Sequence, residues 1–211
     1  MKFLSRPQIA TIAAEFFGTG LLVMVALVLT QTTGVSYFVG TSLAVALAVI
    51  VVLFGGISGA HVNPALTFGL WTARKIGTLR ALAYILAQLV AALLTLELYQ
   101  YLTNHHTQSH HVSFSTPMWL AELVGTAILA FALAVVVTKK TDTMVSALTM
   151  GAAIFTGVIV AATASAGYIN PAIALAERSF NSVYVLGPLV GGLVGVNLYA
   201  YLFDKFPTYK K

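Results

Sequence analysis

SGAHVNPAL, residues 58–66, and SAGYINPAI, residues 165–173, repeat one pattern at an offset of 107 positions without a gap. Ser58 falls on Ser165, Asn63 on Asn170, Pro64 on Pro171 and Ala65 on Ala172. Asparagine is a good N-cap, and proline suits the first helical turn, where its missing N–H costs nothing. Each Asn-Pro-Ala box therefore reads as a helix start. The stretch NPALTFGLWTAR, 63–74, has 12 residues, which as a helix measures roughly 18 Å at 1.5 Å per residue. That is about half a membrane.

The composition puts these short helices in lipid. Of 211 residues, 59% are hydrophobic and 8% are charged, against roughly 25% charged in a soluble domain. Continuous apolar runs predict spanning helices at 9–30, 38–56, 80–102, 117–138, 144–164 and 183–203, each near the roughly 20 residues a crossing needs. Continuous runs argue against a barrel, whose strands alternate. The first run is too long for the core of a signal peptide and is read as a retained helix. Cysteine is absent, which excludes disulfides, thiolate catalysis and cysteine metal sites.

Ten of the 11 Lys and Arg residues fall on one side of this plan: Lys2 and Arg6, Arg74 with Lys75 and Arg80, Lys139 with Lys140, and Lys205, Lys210 and Lys211. By the positive-inside rule that side is the cytoplasm, so both termini are cytoplasmic. The eleventh, Arg178, lies on the far side. Spread over four short segments, the basic residues form no groove-sized cluster and call for no nucleic acid.

The repeat extends upstream. AEFFGT from Ala14 reads against AELVGT from Ala121 at the same offset, placing Glu15 on Glu122. Two units, at about 9–102 and 117–203, make one transmembrane domain over 1–211. Three spans per unit is an odd number, so the second is inverted relative to the first. Solute sites of such inverted repeats lie near the midplane, between the halves. The two short helices then enter from opposite faces and meet there. Each N-terminus carries roughly half a positive elementary charge, which opposes cations, while Asn63 and Asn170 offer amide donors to a neutral solute.

These residues carry a resemblance. The chain resembles the aquaporins, the major intrinsic protein family, through AEFFGT, SGAHVNPAL, AELVGT, YINPA and LGPLVGGLVG (186–195). The resemblance implies an all-α membrane fold: a right-handed bundle of six spanning helices plus two re-entrant half-helices. It also implies a homotetramer in the plasma membrane, surrounded by lipid, each protomer passing water or small neutral solutes such as glycerol, ammonia or dissolved gases. No cofactor is called for, and no enzyme, since no nucleophile, base and orienting acid fall together. Glu15 and Glu122 are implied to be buried and to hold the re-entrant loops.

Counting from the boxes, the family's outer constriction falls on Leu43, Val158, Gly167 and Ile173, with Val45 as the alternative to Leu43. Most relatives carry arginine immediately after the second box, where this chain has Ile173. Five residues on a helix turn about 500°, so Arg178 sits on the wrong face to replace it. The expectation is an aliphatic constriction with a Glu177/Arg178 pair nearer the outer mouth and His61 at the inner vestibule. Gln88 reads as an interhelical hydrogen bond. NHHTQSHHV, 104–112, holds His105, His106, His110 and His111. It reads as a polar loop or as a metal- or pH-sensitive lid; its spacing sets no ligand geometry, so no metal is assigned. Two rival classes are an ion-coupled secondary transporter and a non-conducting scaffold.

Overall fold

A computed structural model describes residues 5–108 and 113–203. Among them are eight helices: α1 Arg6–Thr32, α2 Ser36–Ser58, α3 Pro64–Thr72, α4 Thr78–Thr103, α5 Thr116–Lys139, α6 Thr143–Ala161, α7 Pro171–Ala176 and α8 Ser182–Leu202. Six of them are long and apolar enough to cross a membrane. The protein is an all-α membrane protein with two short helices between the spans.

Local chemistry sets the ends. Ser5 N–H donates to Gln8 Oε1 at 2.8 Å ahead of α1, and Asp142 Oδ1 accepts from Met144 and Val145 N–H ahead of α6. Asn181 caps α8 in the same way. These caps satisfy donors that the first turn leaves without partners. At the other ends, Gly59, Asn104 and Lys140 adopt left-handed backbone after α2, α4 and α5, the usual way a helix stops.

The first short helix is shorter than the expected 12 residues. α3 has nine and α7 has six, roughly 13 and 9 Å. Both stop through the same backbone device. After α3, Arg74 takes φ 58° and Lys75 N–H reaches back to Leu70 O at 2.8 Å. After α7, Arg178 takes φ 51° and Ser179 N–H reaches Ala174 O at 2.9 Å. This is the Schellman pattern, with arginine where glycine is usual. Arg178 thus serves α7 through its backbone.

Small residues let the helices approach. A Cβ on Gly191 or Gly195 of α8 would strike the carbonyls of Leu123 and Ala127 on α5, and one on Gly192 would strike Ala65 O of α3. Gly125 of α5 and Gly157 of α6 face each other similarly. Without a hydrophobic drive between helices in lipid, such close backbone approach is a main source of association. The stretch LGPLVGGLVG is therefore a packing surface, and it fixes α3 against α8.

Candidate functional site

The site is built on two buried carboxylates. Glu15 Oε1 accepts from Ser58 Oγ at 2.6 Å and His61 N–H at 3.0 Å, and its Oε2 from Val62 N–H at 2.7 Å. Glu122 repeats the set: Ser165 Oγ at 2.8 Å and Tyr168 N–H at 3.0 Å on Oε1, Ile169 N–H at 2.6 Å on Oε2. Each residue and its counterpart differ by 107. Both glutamates are inaccessible to solvent, and an intramembrane carboxylate needs such partners. Their hydrogen bonds run to the segments ahead of α3 and α7.

That anchoring sustains strained backbone. Val62 and Ile169 are β-branched, yet they adopt φ 42° and 43°, a region such residues rarely visit. Strain of this kind clusters at functional sites and persists only where the surroundings enforce it. The turned backbone aims the carbonyls of Val62 and Ile169 across the midline. Asn63 Nδ2 donates to Ile169 O at 2.9 Å, and Asn170 Nδ2 donates to Val62 O at 3.0 Å. Each asparagine also caps its own helix, its Oδ1 accepting from Ala65 or Ala172 N–H at 2.9 Å. Pro64 and Pro171 fill the first turn. The two helix starts are thereby stitched to each other, cap to carbonyl, in both directions.

Here the sequence comparisons are decisive. The profile of the major intrinsic protein family matches residues 2–199. The chain belongs to that family. It is 32% identical to "Aquaporin NIP1-1" of Zea mays over 92% of this chain and 75% of that one. It is 26% identical to "Aquaporin Z" of Photorhabdus laumondii subsp. laumondii, over 96% and 98%. Among solved structures, the aquaglyceroporin from Plasmodium falciparum has the same fold, with TM-score 0.73 at 22% identity, covering 94% of this chain and 96% of that one. The protein is a multi-pass, aquaporin-type channel and not an enzyme.

The remaining expected site residues of the channel fall as follows. Leu43 is 2% exposed and Val45 is 62% exposed, so Leu43 is the residue of α2 that faces inward. Leu43, Val158 and Ile173 belong to one buried apolar cluster. Gly167 has φ 70°, and a Cβ there would press on Val158 O at 3.0 Å, which explains glycine at that point. His61 Nδ1 lies 3.2 Å from Thr67 Oγ1 and its ring packs edge-on to Tyr84. Gln88 Nε2 donates to Glu15 Oε2 at 2.8 Å and Thr67 Oγ1 at 3.0 Å, the expected interhelical bond.

One placement differs from the expected picture. Glu177 does not open to a mouth: it is 1% exposed, accepting from Thr30 Oγ1 at 2.5 Å and Gln31 Nε2 at 3.3 Å. It ties the end of α7 to the end of α1, whereas Arg178 is exposed. In the histidine segment, His106 Nδ1 donates to Gln100 Oε1 at 3.0 Å, which pins the loop to α4. Among the described residues no three His, Asp or Glu gather as a metal site; His110 and His111 lie outside the described residues. Ser58, Ser165 and Thr67 were not singled out as loop holders, although the serines coincide at the repeat offset, which was the available signal.

Proposed function

We propose that this channel conducts small uncharged, hydrogen-bonding solutes passively and excludes ions and protons at the Asn-Pro-Ala boxes. The crossed asparagine pair carries this reading. An amide nitrogen has two protons; one of each pair is bound to the opposite carbonyl, and the other is available to a passing molecule. Both helix N-termini point at the same depth, and their partial positive charges oppose a cation. A cavity of about 250 Å³ lined by Gly55, Gly59, Leu133, Val137, Ser146 and Met150 forms the vestibule on the basic face, which is the cytoplasmic one.

Leu43, Val158 and Ile173 around Gly167 form an aliphatic outer constriction without the arginine usual in the family. Such a collar offers no donor to orient water and no fixed charge. It favours solutes that shed hydration cheaply, ammonia and dissolved gases above all, with water and glycerol next. The protomers assemble as a homotetramer in the cell membrane, each with its own pore. Glu15 and Glu122 are occupied by loop N–H groups, so neither is free to couple transport to an ion.

Stopped-flow measurements on reconstituted vesicles test the reading, with ammonia, water and glycerol gradients in turn. Ammonia entry should exceed that of protein-free vesicles. Rates equal to protein-free vesicles for all three solutes would overturn it in favour of a non-conducting scaffold, the reading that the near-complete burial of the collar residues supports second.

A further inference from the structure

The seam between α1 and α4 holds a groove that the pore does not use. Its first section, about 530 Å³, lies between Ile9, Ala13 and Phe16 on one side and Ala83, Ala87 and Val90 on the other. A second section continues it between Gly20 and Met24 of α1 and Leu94 and Leu98 of α4. The first section gathers residues 9–17 with 83–90 and the second 16–24 with 94–98, and Gln88 bonds Glu15, so the helices run parallel at an offset near 74. That register sets Arg6 level with Arg80. Each arginine also precedes its groove residues by three and seven positions, Ile9 and Ala13 on α1 and Ala83 and Ala87 on α4, the spacing that shares a helix face.

Both arginines are exposed, and neither first turn contains an acidic residue. A matching groove lies between α5 and α8, where Leu123, Val124, Ala127, Ile128 and Phe131 stand 107 positions after Phe16, Phe17, Gly20, Leu21 and Met24. It lacks a cationic head: the first turns of α5 and α8, TPMW and SVYV, hold no Lys or Arg. The apolar trough is thus common to both halves, and the arginine pair belongs to one.

We propose that the α1/α4 seam is a binding site for one anionic phospholipid of the leaflet on the basic face. Its phosphate sits between Arg6 and Arg80, and one acyl chain lies in the trough. The section from Ile9 to Phe17 rises about 12 Å, close to the roughly 15 Å of one leaflet's hydrocarbon. Guanidinium groups match phosphate geometry with paired N–H donors.

The test uses the purified full-length protein and native mass spectrometry with phosphatidylglycerol and phosphatidylcholine of identical chains. Phosphatidylglycerol should bind more tightly, and Arg6→Gln/Arg80→Gln should weaken it about 30-fold: two contributions of roughly 1 kcal/mol per basic residue at about 1.4 kcal/mol per tenfold. Phosphatidylcholine binding should be unchanged in that variant. Arg74→Gln/Lys75→Gln, which alters basic residues that line neither section of the groove, should leave both lipids unchanged. Ala83→Phe, filling the trough, should displace both lipids. Equal affinity for the two lipids, or an Arg6→Gln/Arg80→Gln variant that keeps its preference, overturns the proposal. So does a groove occupied by a second copy of the chain, seen as an oligomer that Ala83→Phe dissociates while phosphatidylglycerol binding persists.

Discussion

At the residue scale, Glu122 and Ile173 illustrate two kinds of dependence. Glu122 is an acceptor for three donors at once. Glu122→Gln keeps the shape but turns an NH₂ toward backbone N–H groups, leaving at least one buried donor without a partner, at a cost of roughly 1–3 kcal/mol. Its melting temperature in detergent should fall and solute flux should drop with it; an unchanged melting point would refute the anchoring role. Glu15→Gln should behave alike, since Glu15 accepts the matching three donors and Gln88 Nε2 besides. Ile173 is different, because it anchors nothing polar. Ile173→Arg places a long charged side chain in an apolar collar, so ammonia and glycerol flux should fall at least severalfold in stopped-flow. Flux unchanged in this variant would mean that Ile173 does not line the constriction.

Most of the elements were legible in the sequence, and the exceptions have physical causes. Hydropathy located all six spans because lipid demands an apolar side chain at nearly every outward position, and each observed helix overlaps its expected range. Asn63-Pro64 and Asn170-Pro171 marked the short helix starts for a local reason, the cap. The ends of those helices were not legible. TFGLWTAR and ALAER contain good helix formers, so propensity extends both helices beyond residues 72 and 176. Each helix instead stops at an arginine in left-handed backbone, which propensity does not favour, and at α7 the adjoining Glu177 is held by Thr30 and Gln31, nearly 150 positions away, which no local pattern encodes. The close approach of α3 to α8 is similarly remote, and it makes a testable claim about elements. Gly192→Ala puts a methyl group against Ala65 O; it should cost roughly 1–3 kcal/mol by overpacking and disturb Asn63 two residues away. Gly56 of α2 meets nothing within 4 Å, so Gly56→Ala should be neutral or gain up to about 1 kcal/mol from helix propensity. Thermal melting of the two variants side by side checks this, and equal losses would mean that space at α8 is not the determinant.

On the scale of the whole molecule, the proposed ion exclusion belongs to neither half alone. α3 supplies nine residues and α7 six, and under that proposal neither makes a complete barrier; the barrier requires the two positive ends to meet across Asn63 and Asn170. Asn63→Asp isolates this property. The carboxylate can still accept from Ala65 N–H, so the cap survives, but an oxygen replaces the nitrogen that donates to Ile169 O at 2.9 Å. One cross-link is lost, and a full negative charge now outweighs the roughly +0.5 charge of the helix end. Solute flux should fall, and proton leak should rise above that of the wild type, read as faster decay of a pH gradient with a dye trapped in the vesicles. Asn170→Asp removes the reciprocal bond to Val62 O and should leak as well. Because α7 is shorter and its end contributes less opposing charge, its leak should be at least as large as that of Asn63→Asp. A tight pH gradient in both variants would mean that protons are stopped elsewhere along the path, with the aliphatic collar at Leu43, Val158 and Ile173 as the next place to look.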